Sequence, residues 1–320
     1  MSFGCPRARR VDSLYIRRLS LAIFSLLSDP VVVASIMLSS DMTDISITTR
    51  LDFPSLARYS ASCRGGRRLA QLCLRRDLRR AVSSAIPQWS GFLNALAANE
   101  GYIGGLAALG FFLRRSNPDH VPLELFLPVH NFLAFMNYLR EVQGLSITAE
   151  YDGQPARNII ATVRLQGPTR AVLVHRSSSA SALFPILRGA NTALTCYVGA
   201  TDFGVPWPAL TFARRALVAD QLASALEENT PRLPPPFSVK LYAWMWPEYG
   251  LPQTCIRQQF MCPAQPRYLD DAGAVYGVWS DSQGRPRHKI CFRLDARPCG
   301  GPCLQPHTDL PFDHDRVCLL

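Results

Sequence analysis

The fold is decided by residues 101–128, which read GYIGGLAALGFFLRRSNPDHVPLELFLP. A short apolar segment ends at Gly104 and Gly105, an apolar stretch of helical length follows over 106–115, and Leu123–Leu127 is a second apolar run bounded by prolines. Glycine permits a tight turn and proline ends regular structure, so this order predicts strand, turn, helix and strand. We therefore predict an α/β core built around this stretch.

The segments on either side extend the same pattern. Residues 54–86 carry apolar side chains at helical spacing. Downstream, Asn158–Leu165 and Arg170–His175 are β-rich segments around a Gln-Gly-Pro-Thr turn, and Pro208–Glu228 predicts a long helix. Strands that alternate with helices indicate an α/β or α+β fold, with a mixed sheet flanked by helices.

The predicted organisation has four parts. Residues 1–51 form a basic leader with an apolar helix, and residues 52–98 form a helical N-terminal cap. Residues 99–230 form the core, and residues 231–320 a proline-rich linker followed by an irregular C-terminal extension.

Composition narrows the class of protein. A hydrophobic content of 48% with 18% charged residues is typical of a packed globular chain, not of a disordered one. Ten cysteines without framework spacing indicate reduced thiols, hence an intracellular protein, cytoplasmic or nuclear. The apolar stretch Leu19–Leu38 is divided at Asp29 and Pro30 into runs shorter than the roughly 20 residues that cross a bilayer, so we predict no membrane span.

The residues around the glycine turn resemble a known family. Ile103–Leu109 followed by Pro122–Pro128 is similar to a fungal family of largely uncharacterised proteins, in which these stretches read Ile-Ser-Gly-Ser-x-Ala-Leu and Asp-Leu-Asp-Leu-Phe-Val-Pro. That pairing resembles the signature of the polymerase-β-type nucleotidyltransferase fold. The likeness covers about residues 55–280 and includes two downstream segments, Pro208–Thr211 with Arg214 and Arg215, and Cys255, Cys262, Pro263, Arg267, Asp271 and Gly273.

The resemblance implies a metal-dependent nucleotidyl transfer. Two carboxylates that alternate on one strand face the same side and hold the divalent ions that this reaction uses. A small Gly-Ser turn at a helix start lets backbone N–H groups approach the triphosphate.

The present chain departs from that pattern at each position. Pro122 replaces the first aspartate, Glu124 stands at the second, and Leu106 replaces the phosphate-contacting serine. The segment expected to supply a third acid, Asn158–Leu165, has none. Since one carboxylate cannot build a two-metal site, we favour a protein without this catalysis and without a metal or cofactor.

The residues left at this site have two interpretations. Gly104, Gly105 and Glu124 mark a degenerate nucleotide-binding site if a nucleotide binds at all. Alternatively the glycines form a simple strand-to-helix turn, and Glu124 pairs with Arg114 or Arg115.

A second resemblance lies upstream. Leu19–Asp29, Asp52–Leu56 and Cys63–Ala70 resemble an F-box, which implies docking to a Skp1-like adaptor through apolar helix faces. The side chains that would make this contact are Ile23, Leu26, Leu56 and Leu69. The alternative, which we favour, is a helical cap packed on the core.

Two further features can be interpreted either as binding sites or as ordinary surface and loop residues. Eight arginines between Arg58 and Arg80 suit nucleic-acid phosphates, or form a solvated helix face. Cys299, Cys303 and His307 are candidate zinc ligands, although their spacing fits free loop thiols better.

Overall fold

The computed structural model describes residues 48–115, 120–218, 233–247, 260–279, 290–294 and 317–319. The chain divides into two compact units, 1–51 and 52–320, and the elements below belong to the second. The cap, core and C-terminal segments predicted from sequence thus share one unit. Within the described ranges, no helix combines the length and apolarity required to cross a membrane.

Three helices form the N-terminal region, α1 (Phe53–Ser62), α2 (Arg64–Ser83) and α3 (Trp89–Ala98). Asp52 caps α1 because its carboxylate accepts the Ser55 N–H at 2.8 Å. The predicted helical segment 54–86 is therefore confirmed, with a break at Cys63.

Four shorter helices follow, namely α4 (Gly105–Phe112), α5 (Phe132–Glu141), α6 (Leu183–Leu187) and α7 (Pro208–Phe212). The strands are β1 (Tyr102–Gly104), β2 (Leu123–Leu127), β3 (Ser146–Gln154), β4 (Ile159–Gln166), β5 (Ala171–Ser177), β6 (Tyr197–Gly199), β7 (Asp202–Val205), β8 (Arg215–Leu217), β9 (Ser238–Lys240), β10 (Arg267–Tyr268), β11 (Val275–Val278), β12 (Ile290–Phe292) and β13 (Val317–Leu319).

The main sheet has eight strands in the order β11-β7-β6-β1-β2-β5-β4-β3. The β2–β5 pair is parallel, and the other neighbours in this sheet are antiparallel. A mixed sheet flanked by helices confirms the predicted fold class. The sequence did not predict β3, whose nine residues are all exposed or half-buried.

The predicted long helix Pro208–Glu228 is wrong in its described part. Helix α7 ends at Phe212, Arg214 adopts a left-handed conformation with φ of 59°, and β8 begins at the next residue. The strand is held by parallel pairing with β9 and by the Leu217 N–H, which donates to Thr192 Oγ1 at 3.0 Å. The turn at Arg214 therefore overrides an apolar spacing that suits a helix. Residues 219–232 lie outside the described residues.

The C-terminal part of the chain contributes to the main sheet and forms a separate three-stranded sheet. Strand β11 pairs with β7 at one end of the main sheet, and β10, β12 and β13 form a three-stranded sheet. A buried apolar cluster joins these parts; among its members are Phe126, Ile186, Tyr197, Trp207 and Phe292. Tyr102 and Phe126 of this cluster belong to the pair β1–β2, which carries Gly104 and Glu124.

Candidate functional site

The glycine turn and Glu124 lie side by side. Strands β1 and β2 pair so that Gly104 is opposite Glu124. Gly105 opens α4 with φ of 58°, and a Cβ at this position would overlap the Glu124 carboxylate. That carboxylate accepts a hydrogen bond from the Leu106 backbone N–H. The first turn of α4 therefore binds an anion that belongs to the protein itself.

His175 reaches Glu124 from the neighbouring strand. The parallel pairing of β2 with β5 places His175 opposite Phe126, and the two rings stack with centroids 4.5 Å apart. His175 Nε2 lies 3.5 Å from Glu124 Oε2. On the other side of the ring, His175 Nδ1 lies 2.9 Å from the Thr162 hydroxyl of β4. Carboxylate, imidazole and hydroxyl thus form a chain across three strands.

The charges in this chain follow from its surroundings. Burial raises the pKa of Glu124, but the adjacent His175 ring and the charge of Arg157 outweigh it and hold that pKa below its ordinary value. Burial lowers the pKa of His175. A neutral ring beside an ionised carboxylate accepts at Nδ1 from the Thr162 hydroxyl and carries its proton on Nε2, which faces Glu124 Oε2 at 3.5 Å without a hydrogen bond of normal geometry, and we assign this tautomer on these grounds.

Arg157 provides the balancing positive charge. Burial lowers its pKa, and the Glu124 charge opposes that effect. Its Nη1 donates to Gln154 Oε1 at 3.4 Å, while its Nε is buried and has no hydrogen-bond partner. The residue ends a short 3₁₀ turn, Pro155–Arg157, between β3 and β4.

Apolar side chains close the site. Only 7% of Glu124 and 8% of Leu106 is exposed to solvent. A Cβ at Gly104 would come within 2.6 Å of the Phe126 ring and 3.3 Å of Ile186. A nucleotide could reach the turn only if this packing opened and the Glu124 carboxylate moved away.

The positions of the missing acids have structural roles. The Pro122 carbonyl accepts from Arg170 Nη2 at 3.1 Å, and the same guanidinium donates to the Ala81 carbonyl at 3.0 Å. The strand next to β2 is β5, so the prediction that the segment Asn158–Leu165, which forms β4, would supply the third acid is wrong. Neither β1 nor β5 contains an acidic residue, and His175 stands where β5 faces Glu124.

The predicted ion pair of Glu124 with Arg114 or Arg115 is wrong. Arg114 Nη2 binds Asp77 Oδ2 at 2.8 Å, and Arg115 Nη1 lies 3.4 Å from the Pro235 carbonyl. Both arginines follow the C-terminal end of α4, whereas Glu124 lies at its N-terminal end. The helix therefore separates the arginines from the carboxylate.

The downstream residues of the family-like pattern form a structural clasp. Arg267 is fully buried and donates to both carboxylate oxygens of Asp271, at 2.6 and 2.8 Å. Asp271 also accepts the Gly273 N–H at 2.8 Å, and a Cβ at Gly273 would overlap Phe260. These residues hold a loop together and contact no part of the glycine turn.

The remaining predicted sites fall into two groups. Leu56 is buried and Leu69 is half-buried, while Ile23 and Leu26 lie outside the described residues. Cys299, Cys303 and His307 also lie outside them. In the part of the chain that the structure describes, no group of three histidine, cysteine or acidic side chains could hold a metal ion.

No model of a known protein family matches the chain, and no curated protein matches it either.

Sequence reasoning missed His175, Thr162 and Arg157 as partners of Glu124. One signal was present, because His175 directly follows three apolar residues of its strand, Val172, Leu173 and Val174. Assigning its partner requires the parallel pairing of β2 with β5, which joins residues far apart in the chain.

Proposed function

We propose that this protein is a non-catalytic binding or interaction protein, built on a core that resembles a nucleotidyltransferase. One observation carries the proposal: the Glu124 carboxylate occupies the first turn of α4, where such an enzyme would hold a triphosphate. The proposal places the protein in the cytoplasm or nucleus, on the basis of its cysteine spacing.

Electrostatics supports this interpretation. A two-metal transfer site needs several oxygen ligands around its cations, and β1, β2 and β5 contribute one carboxylate. That carboxylate is already engaged by the His175 ring and lies near the Arg157 charge. A divalent cation would have to displace these partners.

The test is a nucleotidyl-transfer assay with labelled nucleoside triphosphates in the presence of Mg²⁺ or Mn²⁺. We expect the wild-type protein and Glu124→Ala to be equally inactive. Transfer by the wild type that is lost in Glu124→Ala would overturn the proposal. Glu124→Gln is the matched control, because it keeps the side-chain volume and removes the charge.

A second candidate function is nucleic-acid binding through α2. Its arginines at positions 64, 67, 68, 76, 79 and 80 are exposed, which leaves them accessible to phosphates. Binding of single-stranded RNA that weakens steeply as salt rises would support this candidate, because each neutralised phosphate releases counterions. Binding that is absent or indifferent to salt would discard it. No observation favours the adaptor alternative, since Leu56 is 1% exposed.

A further inference from the structure

Arginines gather around a small cavity at the C-terminal end of α4. The cavity measures about 30 Å³ and is lined by Asp77, Arg80, Arg114 and Arg115, with Gly110 and Phe111. A space of this size holds about one water-sized group, so it admits an oxygen of an anion but no nucleobase. The cavity lies one helix length, about 12 Å, from the glycine turn.

Asp77, the acidic residue that lines this cavity, already forms an ion pair. Arg114 binds Asp77 Oδ2 through Nε at 2.9 Å and through Nη2 at 2.8 Å, and both side chains are largely buried. Arg80 and Arg115 have no carboxylate partner among the described residues. The hydrogen bond of Arg115 goes to a neutral acceptor, the Pro235 carbonyl.

Arg214 lies close to Arg115 but does not line the cavity. Its carbonyl accepts the Ser238 N–H at 2.9 Å, just beyond Pro235, to which Arg115 binds. Its Nη1 is buried and has no hydrogen-bond acceptor. Burial lowers the pKa of Arg214, and the charge of Arg115 lowers it further, so the two guanidinium groups repel each other.

The C-terminal end of α4 offsets only part of the positive charge of these arginines. Carbonyl groups at the C-terminal end of α4 favour cations, but they act within the last turn and supply about half a charge. Arg80 and Arg115 therefore keep a net attraction for an anion. Guanidinium groups bind phosphate with paired N–H donors, and Arg80 and Arg115 of the lining can supply them.

We propose that Arg80 and Arg115 form a binding site for the phosphate group of an incoming ligand, with the Arg114–Asp77 pair as its base. The site takes the phosphate alone and leaves the remainder of the ligand in solvent. This site does not include Glu124, so the phosphate-binding proposal can be tested separately from the proposal that the protein lacks nucleotidyl-transfer activity.

The test is isothermal titration calorimetry of the full chain with sodium tripolyphosphate. We expect the wild type to bind and Arg115→Gln to bind at least about tenfold more weakly, because one charge-assisted contact is lost. Arg115→Lys keeps the charge but lacks the paired N–H donors of the guanidinium group, so its affinity should lie between those of the wild type and Arg115→Gln. Arg79→Gln is the matched control: it removes the same charge from an exposed neighbour outside the cavity and should change affinity by less than about twofold.

A parallel titration with a single-stranded RNA oligonucleotide distinguishes the source of the phosphate. If RNA binding is lost in Arg115→Gln but not in Arg79→Gln, the site binds a nucleic-acid backbone. If RNA binding is absent, or is the same in Arg115→Gln as in the wild type, while Arg115→Gln weakens tripolyphosphate binding, the site binds a small phosphorylated ligand. Thermal unfolding of each variant checks that it is folded. The proposal is overturned if neither probe binds, or if Arg79→Gln and Arg115→Gln weaken tripolyphosphate binding equally.

Discussion

At the scale of single residues, the Glu124 carboxylate and the Gly105 backbone depend on each other. The left-handed conformation of Gly105 turns the chain into α4, and the absent side chain leaves the space that the carboxylate fills. Glu124 in return satisfies the Leu106 N–H, one of the donors that a helix leaves free in its first turn. Neither residue can change without affecting the other.

We expect Gly105→Ala to destabilise the protein by more than Gly144→Ala. Both glycines have positive φ, so both variants carry about 1–2 kcal/mol of backbone strain. Only at Gly105 does the new Cβ also overlap a buried group, Glu124, while nothing lies within 4 Å of it at Gly144. Overpacking should add at least about 1 kcal/mol to the loss of unfolding free energy, measured by urea denaturation. Equal losses would contradict the described contact.

We expect stability to fall as the solution is acidified from pH 7 to pH 5. The pKa of His175 is lowered in the folded state, so below its ordinary value of about 6.5 the unfolded chain takes up a proton that the native chain refuses. One such proton costs up to about 1.4 kcal/mol per pH unit. The lowered pKa of Glu124 acts in the same direction at more acidic pH, where the unfolded carboxyl group protonates first.

His175→Gln isolates the histidine contribution. Glutamine retains an N–H donor toward Glu124 but does not titrate. The free energy of unfolding of this variant, measured by denaturant titration at several pH values, should depend less on pH between 7 and 5 than that of the wild type. Identical slopes would rule out His175 as the titrating group.

The sequence predicts Gly104, Gly105 and Glu124 as neighbours because they belong to one strand-turn-helix-strand unit. It does not predict His175 or Arg157 beside them. His175 comes from a parallel strand and Arg157 from a short 3₁₀ turn, so both positions depend on pairings between distant segments. A local pattern of residue types carries no information about such pairings.

At the scale of elements, the Arg267–Asp271 clasp fixes the loop that leads to β11. Arg267 donates to Asp271, to the Phe260 carbonyl at 2.9 Å and to the Pro206 carbonyl at 3.1 Å. Its guanidinium lies 4.9 Å from the ring centroid of Trp207. The clasp therefore links β10 to the segment that precedes α7, and it does so with a charge that is fully buried.

We expect Asp271→Ala to lower the free energy of unfolding by about 3–5 kcal/mol, because it leaves the buried Arg267 charge without its partner. Glu100→Ala is the control. Glu100 lies 3.9 Å from His130 in a pair whose side chains are about half exposed, so its loss should cost less than about 1 kcal/mol. Comparable midpoints for the two variants in thermal denaturation would show that the clasp adds little.

The elements that the sequence predicted and missed differ in their environment. Strand β2 was predicted with the observed bounds, because five buried apolar or acidic residues lie between two prolines. Strand β3 was missed because an exposed edge needs no apolar alternation. Helix α7 was predicted too long, since the turn at Arg214 and the pairing of β8 with β9 are tertiary features that override helical spacing.

At the scale of the whole molecule, the main sheet is assembled from two parts of the chain. Strands β1 to β5, from residues 102–177, form one side, and β6, β7 and β11, from residues 197–278, form the other. Alternating strands and helices were sufficient to predict the class of fold. The order of the strands was not predictable, because it is set by pairings between distant residues.

The late position of β11 has a consequence for biosynthesis. A polypeptide terminated before Val275 would leave Asp202–Val205 as an unpaired edge strand. Phe203 would also lose its contact with Trp279, whose ring centroid lies 4.7 Å from its own. Unpaired edge strands form hydrogen bonds with strands of other chains and so promote aggregation. We expect a protein ending at Gly273 to scatter light as it self-associates, whereas the full-length chain stays monodisperse. A premature stop codon there would also remove Ile290 and Phe292 from the buried apolar cluster, so the truncated protein would expose core side chains as well as an unpaired strand.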